Sequence, residues 1–214
     1  MVQAWAVVVA GGNGTRFGAP KQFADLAGRP VLEWSLESAR RACAGVVLVL
    51  PPSVETTGWD ADFVVPGGAT RSASVRSGLA ALPPGVDVVV VHDAARPLAP
   101  LALWRSVIAA VESGADAAVP AAAVTDTVKE VGADGSLVTL DRSRLVAVQT
   151  PQAFRADLLK QVHSSAGEAT DDAALVERHG GRVVLVPAPP HNLKITAPLD
   201  LVVAAALLSA ESPL

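Results

Sequence analysis

The chain has 214 residues, of which 50% are hydrophobic, so it is long and apolar enough to fold as one α/β domain with its own core. Its uninterrupted apolar runs are much shorter than the ~20 residues of a membrane-spanning helix, and its net charge of −4, without a long basic run, argues against a nucleic-acid partner. Its one cysteine cannot form an internal disulfide, and no signal-peptide pattern precedes the first apolar run, so a cytoplasmic location is expected.

The first predicted strand, Ala4–Val9, leads into a glycine-rich loop over residues 10–18. Glycines let backbone N–H groups come close to an anion, and Arg16 and Lys21 supply the positive charge that a polyphosphate needs. The spacing fits neither a Walker loop nor a dinucleotide-binding fingerprint. We therefore expect a triphosphate cradle of another kind at the end of this strand, and a plain glycine-rich turn is the alternative.

The next segments alternate between helical and strand patterns. Apolar residues at helical spacing over 31–43 and a buried strand over 46–50 predict a first βαβ unit. A short strand over 63–65 follows, and it leads into a helix for which Ser72 or Ser74 is a possible cap.

Residues 87–93 form the clearest central strand, and a helix over 104–111 and another strand over 115–120 follow it. Because a carboxylate beside bound phosphates needs a cation between them, Asp93 at the end of this strand is the predicted Mg²⁺ ligand. The alternative for Asp93 is a cap of the following helix. His92 has no nucleophile near it in the sequence, so we expect it to be packed rather than to act as a base.

The helical rhythm stops between residues 121 and 149. Two extended runs, 125–131 and 137–141, flank an Asp-Gly pair that is typical of a hairpin turn. An isolated hairpin is marginally stable in water, so we expect this arm, residues 121–149, to rest on a second copy of the chain in a homodimer. Folding back on its own domain is the alternative.

The remaining patterns complete the fold. Helical patterns return over 158–162 and 171–177, and a strand over 182–186 and a last helix over 199–209, with Pro198 at its first position, follow them. The patterns together predict a single α/β domain with an open, mostly parallel, Rossmann-like sheet, helices on both faces and a projecting β-arm.

Three polar clusters fall at the carboxyl ends of predicted parallel strands. They are the glycine-rich loop, the segment around Gly68 with Arg71 and Ser74, and Asp93 with the residues after it. In open parallel sheets, ligands bind beyond these strand ends, where the order of the strands reverses. We therefore expect the three clusters to face one pocket.

Eight short segments together resemble one family, the 2-C-methyl-D-erythritol 4-phosphate cytidylyltransferases, and its near relative, ribitol 5-phosphate cytidylyltransferase. They stand in the family's order and span almost the whole chain. The segments are residues 10–16 (AGGNGTR), 20–22 (PKQ), 67–75 (GGATRSASV), 92–97 (HDAARP), 125–127 (TDT), 149–152 (QTPQ), 170–173 (TDDA) and 192–196 (NLKIT).

The resemblance implies a nucleotidyltransferase fold in which the glycine-rich loop wraps the phosphates of CTP. In that family, the positions that match Arg16 and Lys21 stabilise the charge at the α-phosphate, and the position that matches Asp93 binds Mg²⁺. The backbone around Ala10 and Gly68 is implied to read cytosine. The full set implied to bind the nucleotide is Ala10, Gly11, Gly12, Gly14, Thr15, Gly68, Arg71 and Ser74.

The resemblance also implies a sugar-phosphate site that draws on two chains. The residues implied to reach it from the arm of a second subunit are Thr127, Arg142 and Thr150, whereas Thr170 and Lys194 approach from the other side. Arg142 and Lys194 join Arg16 and Lys21 as implied catalytic residues, because two dianionic groups must be brought together against their repulsion.

The activity implied is transfer of CMP from CTP to the phosphate of 2-C-methyl-D-erythritol 4-phosphate, with Mg²⁺ as cofactor and a homodimer formed through the arm. The pair Gly11-Gly12 is also common in the ribitol relative, so another polyol phosphate, ribitol 5-phosphate, stays open as the acceptor. A nucleotide-binding module without catalysis is the alternative from another class. His191 stands where some members carry an acidic residue, which leaves a second carboxylate ligand open.

Overall fold

Strands and helices alternate along the chain, as the sequence predicts. A computed structural model describes residues 2–12, 17–165, 169 and 171–211. The helices are α1 (Val31–Ala42), α2 (Arg71–Ala80), α3 (Leu101–Glu112), α4 (Ala156–Ser165), α5 (Asp172–Arg178) and α6 (Pro198–Glu211). The strands are β1 (Ala4–Val9), β2 (Asp25–Leu26), β3 (Arg29–Pro30), β4 (Gly45–Leu50), β5 (Phe63–Pro66), β6 (Val88–Asp93), β7 (Ala117–Ala123), β8 (Lys129–Val131), β9 (Leu137–Thr139), β10 (Val146–Val148), β11 (Gln152–Arg155) and β12 (Val183–Pro187).

One eight-stranded sheet forms the centre of the fold. Strands β5, β4, β1 and β6 lie side by side and parallel, and β12 pairs parallel with β7. Strand β11 joins the two groups, because it pairs antiparallel with both β6 and β7. Strand β10 pairs antiparallel with the last residues of β7. The prediction of an open, mostly parallel sheet is therefore confirmed.

Helices cover both faces of this sheet, because successive side chains of a strand point to opposite sides. In β1, Ala6 and Val8 pack on the side of α1 and α3, whereas Val7 packs on the side of α2, α4 and α5. Helix α2 lies close to β1 because Gly78 has no side chain, and a Cβ there would be only 2.4 Å from Cγ1 of Val7.

The order of the strands reverses between β1 and β6. From β1 the chain proceeds to β4 and β5 on one side, and β6 begins the half of the sheet on the other side. Val9 and Asp93, the last residues of the two strands, lie side by side in the parallel register. The carboxyl ends of β1 and β6 thus form the crevice where a ligand of an open α/β sheet is expected.

The predicted hairpin in the arm is confirmed. Strands β8 and β9 pair antiparallel, and Gly135 in the turn between them has a φ of +82°, which glycine adopts without strain. The two ends of the 121–149 segment belong to the central sheet, since β7 extends to Ala123 and pairs there with β10. The projecting part therefore lies between these strands, and it also contains a 3₁₀ turn at Arg142–Arg144.

Two local features differ from the sequence analysis. Helix α2 is capped by Thr70, whose Oγ1 accepts a hydrogen bond from the Ala73 N–H at 3.1 Å, so the prediction of Ser72 or Ser74 as the cap was wrong. Strand β11 was not predicted, because its four residues show no alternation and are recognisable only from their position between β6 and β7. The predicted start of the last helix at Pro198 is confirmed. Within the described ranges, no helix combines the length and the apolarity that crossing a bilayer requires.

Candidate active site

An open cavity of about 250 Å³ lies at the carboxyl ends of β1 and β6, next to the first turn of α2. The three predicted clusters meet there, together with the segment before α6. The predicted site residues that line it are Ala10, Gly11, Gly12, Lys21, Gly68, Arg71, Ser74, Asp93 and Lys194. The predicted residues Gly14, Thr15, Arg16 and Thr170 lie outside the described part of the chain.

Gln22 holds the start of the glycine-rich loop. Its side chain is buried, and Nε2 donates hydrogen bonds to the carbonyl oxygens of Ala10 at 2.7 Å and Gly12 at 3.1 Å. The 3₁₀ turn Lys21–Phe23 places Gln22 inward and Lys21 at the cavity. Sequence reasoning missed this role, because a glutamine beside a lysine carries no signal of which carbonyl groups it will reach.

The opposite wall of the cavity is built on Ser74. Its hydroxyl accepts a hydrogen bond from the Gly68 N–H at 3.2 Å and lies 2.9 Å from the carbonyl oxygen of Thr70, to which it donates. The glycine-rich loop passes close to this hydroxyl, since a Cβ at Gly11 would lie 3.2 Å from Oγ of Ser74. The two glycine-containing segments therefore face each other across a narrow space lined by backbone groups.

Asp93 carries the charge at the centre of the site. Its Oδ1 is 3.2 Å from Nε of Arg71, and its Oδ2 is 2.5 Å from Nζ of Lys194. Burial by itself raises the pKa of this carboxyl, but the charges of Arg71 and Lys194 outweigh burial and hold the pKa well below its usual range. Asp93 is therefore ionised at neutral pH. It does not cap the following helix, which begins at Leu101 after Pro100.

A buried layer beneath Asp93 fixes its backbone. Oγ1 of Thr150 accepts a hydrogen bond from the Asp93 N–H at 3.0 Å and lies 3.2 Å from Nδ1 of His92. The other ring nitrogen of His92, Nε2, lies 3.2 Å from the carbonyl oxygen of Arg96. Burial is the main cause that lowers the pKa of His92 to about 3, so the ring is neutral. His92 is packed, as predicted. The Thr150 hydroxyl holds the backbone of Asp93, and its implied contact with the sugar phosphate stays a prediction.

Asn192 connects the segment of Lys194 to this layer. Its Nδ2 donates hydrogen bonds to Oε1 of Gln149 at 2.7 Å and to the carbonyl oxygen of Thr150 at 3.0 Å. Nη1 of Arg96 donates to the carbonyl oxygen of Asn192 at 2.8 Å. Lys194 is thus carried by an irregular segment that is fixed both to the end of the arm and to the loop after β6.

Arg71 has a second carboxylate partner, which sequence reasoning also missed. Nη1 of Arg71 is 2.7 Å from Oδ2 of Asp172, and Oδ1 of Asp172 is 3.0 Å from Nε2 of His163. Burial raises the pKa of Asp172, but the hydrogen bond from His163 and the charge of Arg71 outweigh it, so the pKa is lowered. Asp172 belongs to one of the motif segments, but its motif does not indicate that it reaches Arg71.

The arm residues do not line the cavity of their own chain. Thr127 and Arg142 are exposed, and Nη1 of Arg142 donates a hydrogen bond to the carbonyl oxygen of Thr125. Neither residue is part of the cavity wall.

Asp93 is the one predicted metal ligand, and its surroundings limit what it can bind. Within the described residues, no three His, Cys, Asp or Glu side chains are grouped as a metal site. Magnesium commonly takes only one or two carboxylates and completes its shell with phosphate oxygens and water. A single ionised carboxylate on the cavity wall therefore fits Mg²⁺ that would be bound mainly by a nucleotide's phosphates.

Comparison of the sequence with known proteins identifies the family of the chain. A family model described as 2-C-methyl-D-erythritol 4-phosphate cytidylyltransferase matches residues 4–210. The chain belongs to this family.

Similar proteins support this family assignment over almost the full length of the chain. Relatives with the family's name in Streptomyces avermitilis and Saccharopolyspora erythraea are each 44% identical, and the alignments cover 95% of this chain and 91% and 98% of theirs. Among solved structures, the 2-C-methyl-D-erythritol 4-phosphate cytidylyltransferase of Thermus thermophilus is 37% identical with a TM-score of 0.83, covering 95% of this chain and 98% of that one. The 4-diphosphocytidyl-2C-methyl-D-erythritol synthase of Anaerococcus prevotii is 29% identical with a TM-score of 0.85, covering 97% and 99%. The predicted nucleotidyltransferase fold is therefore confirmed.

The role of Gln22 in shaping the glycine-rich loop gives a first prediction for this cytidylyltransferase. Replacing Gln22 with Leu keeps a side chain of similar size and removes both hydrogen bonds to the loop carbonyls. Two lost hydrogen bonds are expected to weaken CTP binding ~10-fold. Isothermal titration calorimetry with CTP measures the effect.

The matched control is Gln161→Leu on α4, where Gln161 is exposed and is not part of the cavity wall. It should bind CTP like the wild type. Unchanged CTP affinity in Gln22→Leu, with the protein folded, would show that Gln22 does not shape the loop.

Proposed function

We propose that the chain transfers CMP from CTP to the phosphate of 2-C-methyl-D-erythritol 4-phosphate and releases pyrophosphate, a step in isoprenoid precursor synthesis. The observation that supports this most is the one cavity in which the glycine-rich loop, Lys21 and the Asp93–Lys194 pair meet, in a chain of this family. The names of the family model and of the relatives favour methylerythritol phosphate over ribitol 5-phosphate as the acceptor.

The chemistry requires positioning and charge neutralisation. An oxygen of the acceptor phosphate attacks the α-phosphorus of CTP, a new O–P bond forms, and the bond from the α-phosphorus to the bridging oxygen breaks as pyrophosphate leaves with the electron pair. The attacking oxygen is already ionised at neutral pH, so no general base is needed. This agrees with the cavity wall, which contains no imidazole among the described residues, since His92 is buried beneath Asp93. Catalysis then rests on preorganised cations around the reacting phosphates.

Each cavity wall has a part in this proposal. The loop at Ala10–Gly12, with Gly14 and Thr15 beyond the described residues, would wrap the CTP phosphates, and Ser74 with the backbone of Gly68 would face the cytosine. Lys21 and Arg16 would stabilise charge at the α-phosphate. Lys194 would hold the acceptor phosphate, with Thr170 beside it. These roles are supported by the place of Lys21, Ser74 and Lys194 on the cavity wall.

Asp93 would hold Mg²⁺ in the complex with CTP. When bound, the ion would neutralise part of the phosphate charge. The two cations that pair with Asp93, Arg71 and Lys194, would then be available to the phosphates of the substrates. The dependence on Mg²⁺ is part of the proposal.

The arm supplies the reason to propose a homodimer. Thr127 and Arg142 are exposed and do not line the cavity of their own chain, so we expect them to serve the site of another copy. The hairpin also exposes three large apolar side chains, Val131, Leu137 and Val138, at 67%, 62% and 56% of their surface. Such side chains favour contact with a second chain. A cytoplasmic location stays a prediction.

The acceptor assay tests the proposed function directly. Pyrophosphate release from CTP is measured with 2-C-methyl-D-erythritol 4-phosphate, with ribitol 5-phosphate and without acceptor. The first acceptor is expected to give a kcat/KM at least ~100-fold above that of the second, because an acceptor with unmatched hydroxyl groups leaves polar groups of the site unpaired. Faster pyrophosphate release with ribitol 5-phosphate would show that ribitol 5-phosphate is the acceptor. CTP binding without pyrophosphate release would favour a non-catalytic module.

A mixed-dimer experiment tests whether the arm crosses between subunits. Lys21→Ala and Arg142→Ala each are expected to lower turnover ~100-fold, on the scale of losing one preorganised donor. If Arg142 serves the other subunit, a dimer that combines the two variants has one intact site and one doubly damaged site. Random mixing of equal amounts should then restore about a quarter of wild-type activity.

The control is Arg144→Ala, which removes the same charge from the same exposed 3₁₀ turn. This variant should keep wild-type turnover without any second variant to complement it. If the Lys21→Ala and Arg142→Ala mixture stays as inactive as its parts, although the subunits exchange, the arm serves its own chain.

A further inference from the structure

Arg71, the first residue of α2, is held by two carboxylates from different parts of the fold. Its Nε faces Asp93 at the cavity, and its Nη1 faces Asp172 at the first residue of α5. The guanidinium is about three-quarters buried, and Arg71 lines the cavity while Asp172 does not. One end of the guanidinium is therefore near the substrates and the other is fixed in the protein.

Asp172 is built as a fixed partner. Its side chain is only 1% exposed, and its two oxygens contact Arg71 and His163. His163, from α4, is 2% exposed, and its other ring nitrogen is buried without a hydrogen-bond partner in the described chain. The polar contact of this ring is therefore made with Asp172. Because an ionised carboxylate can only accept, Nε2 of His163 donates in this contact.

A second contact fixes the same junction between α2 and the segment before α5. Oγ of Ser72 donates a hydrogen bond to the carbonyl oxygen of Ala169 at 3.0 Å, and the Ala169 N–H lies 3.3 Å from the same hydroxyl. Asp171 caps α5 by accepting a hydrogen bond from the Ala173 N–H at 3.2 Å. Asp172 thus stands at a helix start that is itself tied to the first turn of α2.

The two partners of Arg71 differ in what happens when substrates bind. Asp93 faces the cavity, so an incoming cation competes for its oxygens, and incoming phosphates compete with it for Arg71 and Lys194. Asp172 is shielded from the cavity. We propose that Asp172 and His163 are positioning residues that keep the Arg71 guanidinium at the nucleotide site while Asp93 changes partners. This inference rests on the proposed function, because it takes CTP as the ligand of the cavity.

The sign of the expected effect separates orientation from net charge. Replacing Asp172 with Asn removes a negative charge near the site, and charge alone would strengthen the attraction to CTP. A loss of CTP affinity therefore reports that Arg71 is no longer held. Asn also cannot accept from both Arg71 and His163 as the carboxylate does, because one of its two terminal groups is a donor.

A double-mutant cycle on CTP binding tests the proposal. Asp172→Asn is expected to weaken binding ~10-fold, and the pair Asp172→Asn with Arg71→Gln is expected to bind no more weakly than Arg71→Gln alone. Calorimetry gives the affinities, and melting temperatures check that each variant is folded. Wild-type affinity in Asp172→Asn, or losses that multiply in the double variant, would overturn the proposal.

Substitutions of His163 give a second measurement that does not change a charge on Asp172. His163→Gln keeps a donor and should bind CTP nearly like the wild type, whereas His163→Phe should weaken binding several-fold. Equal CTP affinities in these two variants would overturn the positioning role of His163. Asp171→Asn is the matched control, since Asn caps a helix as well as Asp does and the same charge is lost one residue away.

The outcome also separates this inference from the proposed function. If the wild type binds no CTP and releases no pyrophosphate, the proposed function fails and takes the inference with it. If the wild type binds CTP but the cycle is additive, only the positioning role fails.

Discussion

The site depends on one buried carboxylate held between two cations. Asp93 at the end of β6 meets Arg71 from the start of α2 and Lys194 from the segment before α6. Removing a carboxylate from water is costly unless its partners are close and well oriented, and here both oxygens have one. Among the ion pairs of the described residues, Asp172 would still balance Arg71 without Asp93, but Lys194 would lose its carboxylate partner. The three segments are therefore brought together by the same charges that the proposed reaction would use.

The supporting layers explain why this arrangement can be kept ready for substrates. Thr150 and the neutral His92 fix the backbone of Asp93 from below, and Gln22 fixes the glycine-rich loop on the opposite side. Preorganisation of this kind matters for phosphoryl and nucleotidyl transfer, because the protein contributes mainly position and charge. In the proposed reaction, Arg71 and Lys194 are already in position and can exchange their carboxylate partners for phosphates. Asp172 keeps Arg71 in place during that exchange.

Local sequence patterns predicted the elements that depend on local chemistry. Apolar runs predicted the buried central strands, the Asp-Gly pair predicted the hairpin between β8 and β9, and the position of three polar clusters at strand ends predicted that they share one cavity. What the sequence could not predict depends on pairing across the fold. Strand β11 is defined by its neighbours, and the contact of Arg71 with Asp172 joins residues 101 positions apart. Gln22 and Asn192 likewise act through carbonyl groups that only the folded chain brings within reach.

The central claim is that Asp93 is kept ionised by Arg71 and Lys194, and carbon-detected NMR titration of its carboxyl tests this most directly. Because the folded pKa lies below the unfolded one, the stability that this carboxylate contributes is present at neutral pH and is lost only as the pH falls through the folded pKa. The account predicts that Asp93 stays ionised at pH about 3, where most aspartates are protonated, and that Lys194→Met raises its pKa. A carboxyl that titrates at or above about 4 in the wild type would contradict the account.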